Sequence, residues 1–401
     1  MRRVAVTGMG VVSPIGNTAE SFAESVMAGR SGVGPITLFD ASHLPTRIAA
    51  EVKWEGPMPR DRKIAFALEA ARQAASGPAP KGEGGLSLGI GLELFSLEDM
   101  VAFRRPGAGL PASSRERLTF IQTPSDLAVH LLCKRFGLRR PPLTHVSACA
   151  AGTDAIGTAF RMVASGAWDW ALAGGTDSMI NPLGVGGFCK ISATSTSNEA
   201  PQAASRPFDR DRDGFVLGEG SGMLLLESLE EARKRGAAIR AEIVGYGNSF
   251  DAFGISEPHP EGRGALQAMQ RALEDARVSP DQVDCVNAHG TSTPKNDPME
   301  TAAIKRLLGG RAKEVAVCAT KSMIGHLISA AGAVEAVAAI ACLESGWVHP
   351  TINLDNPDPA CDLDYVPQKA VQRKTRYILS NSFGFGGQNA SILLKSYDAQ
   401  G

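Results

Sequence analysis

Cys149 stands in "HVSACAAGTDAIG" (145–157), between two runs of small residues, where a β-rich run gives way to a helical pattern. Ala155, Ile156, Ala159, Phe160 and Val163 recur at helical spacing, so a helix is expected to begin just after the cysteine. A thiol at that point faces the positive end of the helix dipole, which stabilises thiolate and lowers its pKa. Ala148, Ala150, Ala151 and Gly152 are small enough to let a carbonyl approach, and they leave backbone N–H groups free to bind an oxyanion. This is the setting of a nucleophile that could hold an acyl group. The bland alternative is a small buried cysteine, which describes most cysteines.

Three further constellations carry chemistry. In "VNAHGTSTPKNDPMET" (286–301) a strand ends on His289, followed by a hydroxyl-rich turn through Thr291, Ser292 and Thr293 and a helix near Met299. A histidine at a strand end beside small hydroxyl residues can donate or accept a proton in a cleft, or it can be a satisfied core residue. In "ATKSMIGHLISAAGAVEAV" (319–337) Lys321 lies at a strand end and His326 at the entrance of an apolar helix that also carries Glu335. Burying a lysine and a glutamate there is costly unless they pair, and such a pair can be structural or can position a site. "YILSNSFGFGGQNASILL" (377–394) reads strand, Gly-Phe-Gly-Gly turn, strand. The glycines around Phe383 and Phe385 allow close approach to a ligand, or merely a tight hairpin with two core phenylalanines.

These residues must be held by an α/β scaffold. Short β-rich runs ("RRVAVTG", "THVSA", "WALAGG", "VDCVNA", "EVAVCAT", "YILSNS") alternate with helical patterns along all 401 residues. The helix expected over 264–277 shows an apolar stripe of Leu266, Met269, Leu273 and Ala276, which is core. Segments 144–160 and 315–337 share one plan of strand, small turn, Gly and apolar helix, as a two-fold repeat would. The charged stretch 229–242 is the best place to divide the chain, giving halves 1–235 and 236–401.

Composition excludes several classes. A net charge of -1 without a dense basic run offers no footprint for nucleic acid or an anionic membrane. The longest apolar stretch, 328–343, carries Glu335 and is shorter than a bilayer span, so it reads as a buried helix. Seven cysteines without CxxC pairs and no signal peptide indicate reduced thiols in a cytoplasmic protein, with no zinc site. "VTGMGVVSPIG" (6–16) follows a strand but lacks the third glycine of a dinucleotide fingerprint and is interrupted by Pro14. The broken polar stretch 104–118 is expected to be a long surface loop.

Taken together, Cys149, His289, Lys321, His326 and the Gly-Phe-Gly-Gly turn resemble the elongating β-ketoacyl-acyl carrier protein synthases, condensing enzymes of the thiolase fold. Family-like segments run nearly end to end: "VAVTGMGVVSPIGN", "VSACAAGTDAIG", "ASRPFDRDRDGFVLGEG", "TKSMIGH" and "SNSFGFGGQNA" among them. The resemblance implies two similar α/β halves in an αβαβα arrangement. It implies that Cys149 takes an acyl chain from an acyl carrier protein, that N–H groups of Cys149 and Phe385 form the oxyanion hole, and that His289 and His326 bind the malonyl thioester oxygen during loss of CO2. By the same resemblance Lys321 organises a charge network with Glu335, Thr291 and Thr293 bond the phosphopantetheine arm carried by the acyl carrier protein, and Phe188, Phe383 and Phe385 border the acyl pocket. No cofactor or metal of the enzyme's own is implied. A homodimer is expected, or a heterodimer with a chain-length factor.

Departures from the family pattern fall on docking and pocket surfaces. Ser192 stands where an arginine contacting the carrier protein is expected, leaving Lys190 nearby; Glu93 and Leu94 replace a Gly-rich stretch; 118–126 departs from an aromatic-Pro segment. The condensation implied serves fatty acid synthesis or a specialised pathway, and these departures suggest a specialised synthase of a polyketide, polyene or unusual-lipid pathway. A CoA-dependent thiolase would need a second catalytic cysteine late in the chain, and Cys361 lies in a turn-like segment. A non-catalytic chain-length-determining subunit usually lacks the nucleophile, which is present here.

Overall fold

The computed structural model describes residues 1–58, 61–91 and 124–398. Glu93, Leu94, the 104–118 stretch and residues 118–123 lie outside the described residues.

Ten strands form one mixed sheet, in the order Ala316–Cys318, Cys285–Asn287, Tyr377–Gly384, Gln388–Ser396, Ala241–Phe250, Val4–Val12, Glu219–Ser228, Trp170–Ser178, Gly84–Ile90 and Leu143–His145. The two five-strand sides mirror each other about the antiparallel pair formed by Val4–Val6 and Ala241–Ile243. Outward from that pair each side reads antiparallel, antiparallel, parallel, parallel. Each side also visits its strands in the same chain order. The inner strands Trp170–Ser178 and Glu219–Ser228 are buried along their length, with apolar runs "WALAGG" and "MLLL" and polar residues toward their ends.

Helices fill three layers. Ala151–Ser165 and Ala331–Ser345 pack on each other and on strands from both sides of the sheet, making the middle layer. Arg62–Ala74 and Pro124–Phe136 cover one outer face, and Arg263–Ala276 with Asn296–Leu308 covers the other. This is the thiolase-like fold. Ala331–Ser345 is buried from Ala331 to Leu343, on every face, because helices and strands surround it. Among the described residues, 328–345 is the one stretch long and apolar enough to cross a membrane, and 83% of it is buried inside the chain.

The middle helices matter most for the site. Each is preceded by a 3-10 turn, Ala148–Ala150 and Ile328–Ala330, and each turn opens on a non-glycine residue with positive φ: Ala148 (49°) and Ile328 (46°). Such a conformation is costly for a side chain with a Cβ and persists only where surroundings impose it. Cys149 and Ser329 are thus counterparts in the two halves.

Candidate active site

His289 follows the strand Cys285–Asn287, and the turn after it is shaped by two carboxylates from Asn296–Leu308. Glu300 accepts the N–H groups of His289 and Gly290, both at 2.8 Å, and Asp297 accepts that of Thr291 at 3.1 Å. Gly290 (φ 41°) and Ser292 (φ 65°) both take the left-handed conformation that bends the chain back. Glu300 and Asp297 were not singled out from sequence. Their spacing, i and i+3 on one helix and eight and eleven residues beyond the histidine, is the signal that could have found them.

Lys321 is buried and donates to three acceptors: Glu335 Oε1 at 2.5 Å, the His289 carbonyl at 2.7 Å and His289 Nδ1 at 3.2 Å. Burial pushes the Glu335 carboxyl up to about 7 against the opposing pull of Lys321, and its Oε2 has no hydrogen-bond partner among the described residues. His326 Nδ1 accepts the backbone N–H of Ile328 at 3.1 Å. Both histidines are held well below the usual imidazole range, first by burial and then by the Lys321 charge, with His326 adding to the effect on His289. They are therefore neutral at neutral pH. With Nδ1 accepting in each ring, the proton must sit on Nε2, so each histidine carries one N–H donor on its free edge.

Those rings cross nearly at right angles, with centroids 5.3 Å apart, and ligating atoms of Cys149, His289 and His326 all lie within 4.8 Å of one another. The spacing would suit a zinc ion, but the tautomers do not. A metal needs the Nε2 lone pair, and that requires a proton on Nδ1, where the Ile328 N–H and the Lys321 ammonium already point. The two imidazoles thus present N–H groups, not lone pairs, on their free edges.

Cys149 is buried, and backbone N–H groups of Phe385 and of Cys149 itself face its sulfur. The approach is close because residue 384 is glycine: a Cβ there would stand 3.0 Å from the Cys149 nitrogen and from the Ser147 oxygen. One expectation is corrected. The thiol is not lowered overall: burial pushes it up to about 11, and the N–H groups and Lys321 offset only part of that. Cys149 sits in the 3-10 turn ahead of the helix, almost fully buried at the inner end of a cleft, so desolvation is the largest influence on it.

A cleft of about 240 Å³ opens onto the sulfur, lined by His289, His326, Phe383, Phe385, Thr291 and Thr293 among others. Thr291 and Thr293 hydroxyls are 2.9 Å apart on its wall. Phe188 is not among the described residues that line this cleft. It packs one layer behind, edge-on to Phe215 at 5.3 Å and tilted against Phe385 at 6.5 Å, because its helix Pro182–Lys190 lies under the cleft wall. Phe215, not singled out from sequence, lines the cleft and meets His326 edge-on at 5.2 Å. Ser192 and Ile191 are exposed on its rim, and Lys190 is exposed beside them.

Residues 1–232 match the family described as "Beta-ketoacyl synthase, N-terminal domain", and residues 240–355 match "Beta-ketoacyl synthase, C-terminal domain". The chain belongs to the beta-ketoacyl synthase family. Family members that resemble it along their length include the 3-oxoacyl-[acyl-carrier-protein] synthase 2 of Coxiella burnetii, 42% identical with 98% of both chains covered. That of Synechocystis sp. is 44% identical over 99% of this chain and 98% of its own. Among solved structures, a ketosynthase bound to a hexaketide, in complex with its type II polyketide acyl-carrier protein, superposes with a TM-score of 0.89 at 33% identity, covering 99% of this chain and 100% of that one. A beta-ketoacyl synthase from Burkholderia phymatum superposes at 0.88 with 32% identity, with the same coverage. The protein is an acyltransferase of the ketosynthase type, and the thiol and paired histidines just described lie where the two family domains meet in the fold.

Proposed function

We propose that this synthase extends an acyl chain by two carbons through decarboxylative condensation with malonyl-carrier protein. Cys149 Sγ attacks the thioester of an acyl carrier protein; the new C–S bond forms as the old one breaks, and the thiol proton ends on the departing carrier thiol. Amides of Cys149 and Phe385 stabilise the oxyanion of that transfer. Malonyl-carrier protein then binds with its thioester oxygen between the Nε2–H groups of His289 and His326. The C–C bond to the carboxylate breaks, CO2 leaves, and the electron pair becomes an enolate held by the two donors. The enolate carbon bonds to the acyl carbonyl, the C–Sγ bond breaks with its electron pair on sulfur, Sγ takes a proton from solvent to restore the thiol, and the β-ketoacyl thioester departs.

In this reading Lys321 and Glu335 hold His289 as an Nε2–H donor, Thr291 and Thr293 bond the phosphopantetheine arm, and Phe383 and Phe385 border the acyl chain. Side chains and amides supply every group the steps need, so no cofactor or metal is invoked. The observation that carries the reading is the pair of Nδ1-accepting histidines, which leaves two neutral donors beside a buried thiol.

We assign a carrier protein as partner, as in the similar ketosynthase solved in complex with its acyl-carrier protein, and fatty acid synthesis or a specialised polyketide, polyene or lipid pathway as setting, Ser192 on the rim where the family arginine is expected favouring the specialised one. A homodimer is proposed through the outer edge of Leu143–His145, which ends the sheet beside exposed Val146. A similar solved structure is that of the ishigamide ketosynthase/chain length factor, 34% identical, which keeps a heterodimer as the second reading. Incubation with acyl carrier proteins of varied chain length, followed by intact mass measurement, tests the proposal. One acyl adduct that disappears in Cys149→Ala supports it; no adduct from any donor overturns it in favour of a chain-length-determining subunit. Light scattering on the purified chain decides between one and two copies.

A further inference from the structure

The two halves use the same strained turn for different ends. At Cys149 the turn's amide faces the sulfur. At Ser329, its counterpart, the amide donates to Asp177 Oδ2 at 3.0 Å. The amide just before it, that of Ile328, is the one that donates to His326 Nδ1. Two successive N–H groups of one left-handed turn therefore diverge, one to a buried carboxylate and the other to a histidine of the site.

Asp177 has no freedom to release that turn. Its Oδ1 accepts the Ser178 N–H at 2.8 Å. A Cβ at Gly91 would lie 2.2 Å from Oδ2, and a Cβ at Gly175, on the same strand as Asp177, would lie 2.4 Å from the Ser329 carbonyl oxygen. The strand, the carboxylate and the turn are thus packed at backbone contact. Asp177 is 1% exposed and does not line the cleft. Burial raises its carboxyl to about 6 despite the Lys63 charge and the amides that oppose it, so an acid is kept here at a cost. A left-handed Ile328 persists only if its surroundings impose it, and the Asp177–Ser329 bond is the contact that acts on the very next peptide.

We propose that Asp177 is a positioning residue for the malonyl half-reaction: through Ser329 it fixes the turn whose Ile328 amide keeps His326 in the Nε2–H form. The inference rests on the role given to His326 above. It requires no loss of acyl transfer to Cys149, since the Asp177 charge raises that thiol and its removal can only ease thiolate formation.

The test compares Asp177→Asn and Asp177→Ala with His326→Ala in the full-length protein. Three quantities are measured: acyl transfer to Cys149 by intact mass, CO2 release from malonyl-carrier protein, and the His326 tautomer from nitrogen chemical shifts of histidine-labelled protein. Asp177→Ala is expected to slow CO2 release about tenfold or more, to leave acyl transfer within about threefold, and to move the His326 shifts toward a tautomeric mixture. Asp177→Asn, which keeps the volume, should do the same to a smaller extent and serves alone if the alanine variant does not fold. Equal loss in both half-reactions, or unchanged CO2 release with an unchanged tautomer, overturns the proposal. Full CO2 release by His326→Ala would instead sink the role given to His326, whatever Asp177 does.

Discussion

Gly384 passes so close to Cys149 that a single methyl group would separate them: its added Cβ would meet the Cys149 nitrogen at 3.0 Å and the Ala150 nitrogen at 3.3 Å. The φ of Gly384 is -102°, which alanine adopts freely, so the only effect of Gly384→Ala is steric. The Phe385 amide should be pushed off the sulfur, and acyl transfer should fall on the order of 100-fold, as for loss of one oxyanion donor. Thermal stability should change little. Single-turnover acylation followed by mass measures the first, and a melting curve the second.

The buried thiol carries a distinct pH signature. With its pKa raised to about 11, alkylation by iodoacetamide should climb about tenfold per pH unit from neutrality to pH 10, without the plateau an ordinary thiol shows near 9. The sign for stability follows from the same shift. Between pH 9 and about 11 the unfolded chain loses this proton while the folded one keeps it, so folding stability falls as pH rises through that window. Alkylation rates and denaturant midpoints across pH 7 to 10.5 check both.

Lys321 and Glu335 are 1% and 0% exposed, and neither can be left alone. Glu335→Ala strands an ammonium and should destabilise by about 3–5 kcal/mol; Lys321→Ala should cost less, because Glu335, raised to about 7 even beside the ammonium, takes up a proton without it. Lys321→Met combined with Glu335→Leu should recover most of that stability but not CO2 release, because His289 Nδ1 loses its donor and its tautomer is released. Urea unfolding beside the decarboxylation assay separates the two effects.

Glu300→Gln replaces a carboxylate that accepts two backbone N–H groups with an amide that can accept at one oxygen only. One buried donor is left facing an NH2 group, at a cost of about 1–3 kcal/mol. His289 should shift with its amide, and CO2 release should drop about tenfold or more while Cys149 still acylates. The expected split between the half-reactions is the readout.

Ser192→Arg restores a cation on the exposed rim of the cleft. For an acidic carrier protein at low salt the KM should fall severalfold with kcat unchanged, and the gain should fade as salt is raised. An unchanged KM across carrier proteins would show that this rim position is not part of the docking surface.

The cysteine, the two histidines, the lysine and its glutamate that the structure brings together were all legible in the sequence, because each stands at or near a strand end or helix entrance where residue type and neighbours are unusual. Glu300 and Asp297 were not, although they lie in a quoted segment. A carboxylate that caps a turn from the next helix looks like any helix-start acid until the turn folds back onto it. Phe215 was missed for a different reason: nothing in its own stretch of chain says that it meets His326 on the cleft wall.

By itself the sequence determined the fold class, the repeat of strand, turn and helix, and the residues able to do chemistry, since these follow from periodicity and from side-chain type at short range. Only the tertiary structure decided their state. The pKa of Cys149 depends on how far water is excluded, and the tautomers of His289 and His326 depend on which donors reach Nδ1. Those donors come from Lys321, 32 residues beyond His289, and from the strained turn at Ile328. Desolvation and hydrogen-bond partnership are properties of surroundings assembled across the whole sheet, and no local stretch of chain contains them.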